Sequence, residues 1–178
     1  MEWKRDHPWE ILYSNIQGLA TENSRRKIDY LKEKTLQKKI MLLNLTGTWL
    51  DDNMTNDMNI EGYELIRTDR TGRTKGGVAA YINQNLTSKI LAQCSNSFCE
   101  MLAIEIQPIN LINIVIYRPP KTKMHEFKEI LEKLQELTDL ALKNNKAIII
   151  TGDFNFPFID WKNDESTGCS HIFKTNMN

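Results

Sequence analysis

The feature that most constrains this chain is its series of short apolar runs, each long enough for one strand and bounded by turn-forming residues. They fall at residues 11–16, 40–45, 63–66, 78–82, 88–93, 101–106, 111–117 and 147–150. Runs of about four to eight residues are too short for stable core helices and fit strands. Ile40 to Leu45 and Ala147 to Ile150 show no polar alternation, which suits strands covered on both faces. In the run from Met101 to Ile106, period two puts Leu102, Ile104 and Ile106 on one face. The run from Leu111 to Tyr117 ends at Arg118-Pro119-Pro120, because proline cannot continue a ladder. Helical spacing is rarer. Ser24 can cap a helix burying Ile28 and Leu31, with Arg25, Arg26 and Lys27 toward water. Phe127, Ile130, Leu131, Leu134, Leu137, Thr138 and Ala141 mark a longer one. Many strands and few helices predict paired sheets covered by helices, an α/β sandwich.

Length and charge narrow the class. The 178 residues suffice for one domain with a real core. We place that domain at residues 10–165, after an extension at 1–9 and before a polar, patternless tail at 166–178. Lys plus Arg and Asp plus Glu both total 23, so net charge gives no global argument for nucleic acid, and any such argument must be local. No apolar run reaches membrane-spanning length, and the start lacks an apolar signal core, so no membrane partner is expected. Cys94, Cys99 and Cys169 are odd in number and form no CxxC pair. They read as reduced thiols of an intracellular protein, without zinc or a disulfide framework.

Chemistry concentrates at strand ends. The run from Ala147 to Ile150 delivers Gly152-Asp153-Phe154-Asn155 at the sheet rim, where ligand sites gather in α/β proteins. There Asp153 can hold a cation or orient a water, and the Asn155 amide can donate to a phosphate oxygen. The same residues also suit a turn bonding its own backbone. Asn15 ends the first strand, as a turn residue or a site residue. Tyr117 and Arg118 could together contact a phosphate, or Tyr117 could simply close the core. Arg67, Arg70, Arg73 and Lys75 crowd one loop, opposed only by Asp69, and form a candidate phosphate-binding patch or a solvated turn.

The order of these motifs is more specific than any one of them. Asn15-x-Gln17-Gly18-Leu19 is followed by Thr46-x-Thr48-Trp49-Leu50, Gly62-Tyr63 and Arg67-x-Asp69-Arg70. Gly76-Gly77-Val78-Ala79, Tyr117-Arg118-Pro119-Pro120, and Gly152-Asp153-Phe154-Asn155 with Asp160-Trp161 complete the set. Together they resemble the endonuclease domain of non-LTR (LINE-like) retrotransposons, in the endonuclease/exonuclease/phosphatase superfamily that includes apurinic endonucleases. The resemblance implies a four-layer α/β sandwich of two packed mixed sheets flanked by helices, incomplete at its C-terminus. It implies Mg²⁺-dependent hydrolysis of a DNA phosphodiester, with the cation neutralising developing charge. On this pattern Asn15 helps hold metal or phosphate, Tyr117 contacts the scissile phosphate, and Asp153 with Asn155 orients the nucleophile.

Two departures from the family pattern follow. The metal-binding glutamate expected between Thr46 and Thr48 is Gly47, which offers no side-chain oxygen. Glu22 and Asp51 are the carboxylates considered as substitutes. The chain also ends before the family's Ser-Asp-His motif, and Ser170-His171 does not replace it. The resemblance therefore implies weak or lost nicking. The alternatives are a DNA-binding or interaction module, a genomic relic, and a phosphatase for a small phosphoester. An exposed sheet edge would invite self-association. The nucleus is the expected place of action for a parent element.

Overall fold

The computed structural model describes residues 10–19, 24–37, 39–51, 58–72 and 75–156. Eight strands and two long helices fall in the order β1 (Glu10–Asn15), α1 (Ser24–Gln37), β2 (Ile40–Thr46), β3 (Tyr63–Thr68), β4 (Val78–Asn83), β5 (Ser88–Ser95), β6 (Glu100–Ile106), β7 (Leu111–Tyr117), α2 (Met124–Lys143), β8 (Ala147–Asp153). They make two four-stranded sheets, ordered β1-β2-β4-β3 and β5-β6-β7-β8. Each sheet is mixed. β1 runs parallel to β2 and β7 parallel to β8, while the remaining pairs are antiparallel. The parallel pairs are those whose connection contains a helix, as a crossover requires.

Period two divides each central strand between two cores. From β2, Leu43 and Leu45 pack with Ile28 and Leu31 of α1, while Leu42 faces the other sheet. From β7, Ile112, Ile114 and Ile116 meet Phe127, Ile130 and Leu134 of α2, and Val115 faces back between the sheets. The layers are therefore helix, sheet, sheet, helix, the four-layer α/β sandwich expected from the family pattern. Every residue of β2 is buried, as its unbroken apolar run predicts.

Three details differ from the sequence reading. Ile148, Ile149 and Ile150 are only partly buried, because β8 is an edge strand with a neighbour on one side. β8 also continues through Asp153, with Gly152 against β7. A Cβ on Gly152 would lie 2.0 Å from the Ile116 carbonyl oxygen, so only glycine allows this approach. The polar stretch after Asp51 ends in core residues: Met58 and Ile60 are buried, and the Met58 carbonyl accepts from the Tyr81 hydroxyl at 2.7 Å. The domain boundaries near residues 9 and 165 lie outside the described residues.

Candidate active site

The layer between the sheets grows polar toward one end. On β2 its face reads Leu42, Asn44, Thr46; on β8 it reads Ile149, Thr151, Asp153; on β1 it reads Ile11, Tyr13, Asn15. Midway, Asn44 and Asn113 exchange reciprocal amide bonds of 2.8 and 3.0 Å, and Asn44 Nδ2 also donates to Thr151 Oγ1 at 3.0 Å. At the rim, Asn15 Nδ2 donates to Asp153 Oδ2 at 2.8 Å, linking the two sheets. The remaining rim residues surround this bond.

Asp153 sits in a closely built loop. Its Oδ1 accepts from the Asn155 backbone N–H at 3.2 Å, and its carbonyl accepts from the Arg118 N–H at 2.9 Å. Asn155 adopts φ +49° and gives its side-chain N–H to the Arg118 carbonyl at 2.7 Å. Arg118 Nη1 in turn donates to the carbonyls of Phe154 and Asn155, at 2.8 and 2.9 Å. That guanidinium lies 4.4 Å from the Phe156 ring centroid, and the residue is only 4% exposed. Tyr117 and Arg118, being consecutive in an extended chain, point to opposite faces. Arg118 therefore holds the loop from behind rather than sharing a phosphate with Tyr117.

The basic loop also separates in space. Arg70 turns inward, where Nε and Nη2 donate to Glu100 at 2.5 and 3.0 Å, and its guanidinium lies 5.4 Å from the Tyr117 ring centroid. Glu100 is fully buried, so the loop is opposed by more than Asp69. Burial pushes the Glu100 carboxyl up, and the bonds and charge of Arg70 pull it down. Arg67 pairs with Asp69 at 3.2 Å and donates to the Asp51 carbonyl at 3.0 Å. The Lys75 ammonium lies 5.4 Å from the Trp49 ring centroid. Arg73 and Glu22 lie outside the described residues, as do Asp160-Trp161 and Ser170-His171.

Several contributors escaped the sequence reading. Tyr13 hydrogen-bonds Thr46 Oγ1 at 3.0 Å; period two from Asn15 puts it on the same face. Burial raises the Tyr13 phenol, the Thr46 bond lowers it, and nearby Asp153 raises it. Burial likewise raises Tyr117, against Arg70. Both phenols thus keep their protons at neutral pH and can donate to an anion. Glu100 had a readable signal, a charge in phase with Leu102 and Ile104. Lys27 had none. Expected toward water, it instead gives its three N–H bonds to the carbonyls of Ile16, Gln17 and Gly18, at 2.8, 2.8 and 2.9 Å. This fixes the turn after Asn15.

Gly47 lies at the centre of the rim. Its N–H donates to the Gly77 carbonyl at 2.9 Å, and its carbonyl accepts from the Gly18 N–H at 2.7 Å. It adopts φ +65°, and a Cβ there would lie 2.8 Å from Asn15 Oδ1. This position therefore faces the Asn15–Asp153 pair without a side chain. Among the described residues, no three His, Cys, Asp or Glu side chains gather as a metal site would require. Among the described residues Glu100 is engaged by Arg70 and Gly47 has no side chain, so Asp153, already bonded to the Asn15 amide, is the carboxylate left facing this rim, and this donor set does not fit a Mg²⁺ ion held by protein side chains alone. Asp51 lies beside Arg67 and is exposed.

An ordered match of sequence and fold decides the family. The model of the "Endonuclease/Exonuclease/phosphatase family" matches residues 12–172. The chain belongs to the endonuclease/exonuclease/phosphatase family. Its fold is similar to the endonuclease domain of TRAS1, a telomere-specific non-LTR retrotransposon, with a TM-score of 0.63 and 13% identity over 96% of this chain and 69% of that one. An AP endonuclease from Leishmania major gives a TM-score of 0.72 at 13% identity, covering 98% and 67% of the two chains. A mannosyl-6-phosphatase from Bacteroides thetaiotaomicron gives 0.57 at 16%, covering 82% and 65%. The chain spans about two thirds of the length of these structures. No curated protein matches it in sequence. The likeness to these structures, at such low identity, speaks for the fold alone.

Proposed function

We propose that this chain is a DNA-engaging domain of retrotransposon-endonuclease descent in which phosphodiester hydrolysis is weak or lost. The observation that carries this reading is Gly47: a left-handed glycine facing Asn15, where the family resemblance calls for a metal-binding glutamate. Members of a cooperative catalytic group act as a unit, so losing one ligand costs most of the rate. What remains suits binding. Tyr13, Tyr117 and Asn155 stand near a rim where a phosphate could approach, with Arg67 near the end of β3 and Lys75 on the loop that follows as partners for backbone phosphate. This chain's own part is to position the phosphate, with Asp153 as the group that could hold a water. The β8 edge offers a route to self-association, and action on chromosomal DNA implies the nucleus. The test is nicking of supercoiled plasmid in Mg²⁺ by the folded monomer, beside Asp153→Ala. Duplex retention without nicking supports the reading. Nicking that disappears in Asp153→Ala overturns it.

A further inference from the structure

Away from the rim, the hairpin joining β5 to β6 brings two thiols together. Cys94 lies opposite Met101 in the ladder, and Cys99 precedes Met101 by two residues, so period two puts both sulfurs on the face covered by α2. The two thiols are close enough for each to alter the other's hold on its proton. Asn96 organises the turn between them. Its Oδ1 accepts from the N–H groups of Phe98 and Cys99 at 3.0 and 2.8 Å, and its backbone N–H donates to the Cys99 carbonyl at 3.0 Å. Its Nδ2 donates to Cys94 Sγ at 3.3 Å, a bond that favours a thiolate. Cys99 is buried in the core beneath α2, whereas Cys94 is only partly buried. A cavity of about 250 Å³ is lined by both cysteines together with Asn96, Phe98, Glu129 and Lys133. A purely structural pair of cysteines would require neither the opening nor the donor.

We propose that Cys94 and Cys99 form a dithiol modification site, which a small hydroperoxide oxidises to an intramolecular disulfide. The charges have opposing effects. The neighbouring Cys99 thiol brings the Cys94 thiol down to about 7 and Lys133 helps, against burial, Glu100 and Glu129. Cys99 is pushed up, by Cys94 and by burial, and so keeps its proton. Cys94 is therefore the attacking sulfur. Its thiolate takes one oxygen of the peroxide, the O–O bond breaks, and hydroxide leaves, giving Cys94 sulfenic acid. That hydroxide takes the Cys99 proton to form water. The Cys99 thiolate then attacks the Cys94 sulfur, forms the S–S bond and expels a second hydroxide, which solvent protonates. Two thiols are oxidised and one peroxide is reduced to two waters.

The experiment treats the full folded chain with hydrogen peroxide and follows intact mass, alkylation and proteolytic peptides. The expected result is loss of two hydrogens confined to the peptide holding both cysteines, reversed by dithiothreitol, with Cys169 still alkylated. In Cys99→Ser, dimedone should trap Cys94 as its sulfenic acid. Before oxidation, Cys94 should alkylate several-fold faster at pH 7 than the same thiol in denatured chain. A disulfide to Cys169, an intermolecular disulfide, or thiols reacting as they do when denatured would each overturn the proposal.

Discussion

The layer between the sheets has two ends that solve the same packing problem in different ways. At one end Leu42, Ile82, Ile106 and Leu111 close the sheets with hydrocarbon alone. At the other, Glu100, Asn15, Tyr13, Tyr117 and Asp153 occupy equivalent positions: Tyr13 bonds Thr46, Asn15 bonds Asp153, and Glu100 accepts from Arg70. The apolar end needs only volume and shape. The polar end needs every bond in place, because a buried polar group left alone costs about 1–3 kcal/mol. Such an arrangement brings no stability that hydrocarbon would not. The difference shows that the polar end depends on directional bonds where the apolar end depends on shape. Lys27 and Arg118 secure backbone around the rim, whereas Gly47 presents no side chain to it.

The comparison can be sharpened by substitution. The largest effect is expected at the Arg70–Glu100 pair. Arg70→Ala leaves a fully buried carboxylate without its guanidinium, and should cost about 3–5 kcal/mol of unfolding free energy in denaturant titration. If Glu100 becomes protonated in the variant, the loss should shrink as pH falls. The sign follows from burial, which raises the carboxyl: once the guanidinium is gone, the neutral form is the one the fold tolerates. A loss below about 1 kcal/mol would mean the pair behaves as an exposed one.

A smaller effect is expected midway along the layer. Asn113→Ala leaves the buried Asn44 Oδ1 without its donor, while Asn44 Nδ2 keeps Thr151, and should cost about 1–3 kcal/mol. Replacing Asn44 and Asn113 together with leucine should recover most of that loss, since paired polar groups can give way to hydrocarbon at little cost. Thermal unfolding of the single and double variants decides it. A double variant as unstable as the sum of its singles would show that the polar seam contributes to stability in its own right.

The legibility of the molecule followed the same division. Strands β2, β6 and β7 were readable because apolar runs and proline stops report burial directly, and α2 because its apolar positions keep helical spacing. The half-burial of Ile148 to Ile150 was not readable, since a sequence does not state which strand lies at a sheet edge. At the site, Asp153, Asn155, Asn15 and Tyr117 were legible as strand-end polar residues, and the structure gathers them at one rim. The orientations of Arg70, Arg118 and Lys27 were not. Long cationic side chains reach about 6 Å or more from their backbone, so composition locates the charge without its direction. Only tertiary partners such as Glu100 and the carbonyls of residues 154–155 settle where each ends.

The most direct measurement is titration of the folded chain with Mn²⁺, a spectroscopic substitute for Mg²⁺, beside Asp153→Ala. The account predicts no saturable site and identical weak curves for the two proteins, because among the described residues Gly47 offers no side chain and Glu100 is held by Arg70, which leaves Asp153 alone to face a cation. A single saturable Mn²⁺ site in the natural chain that vanishes in Asp153→Ala would contradict it.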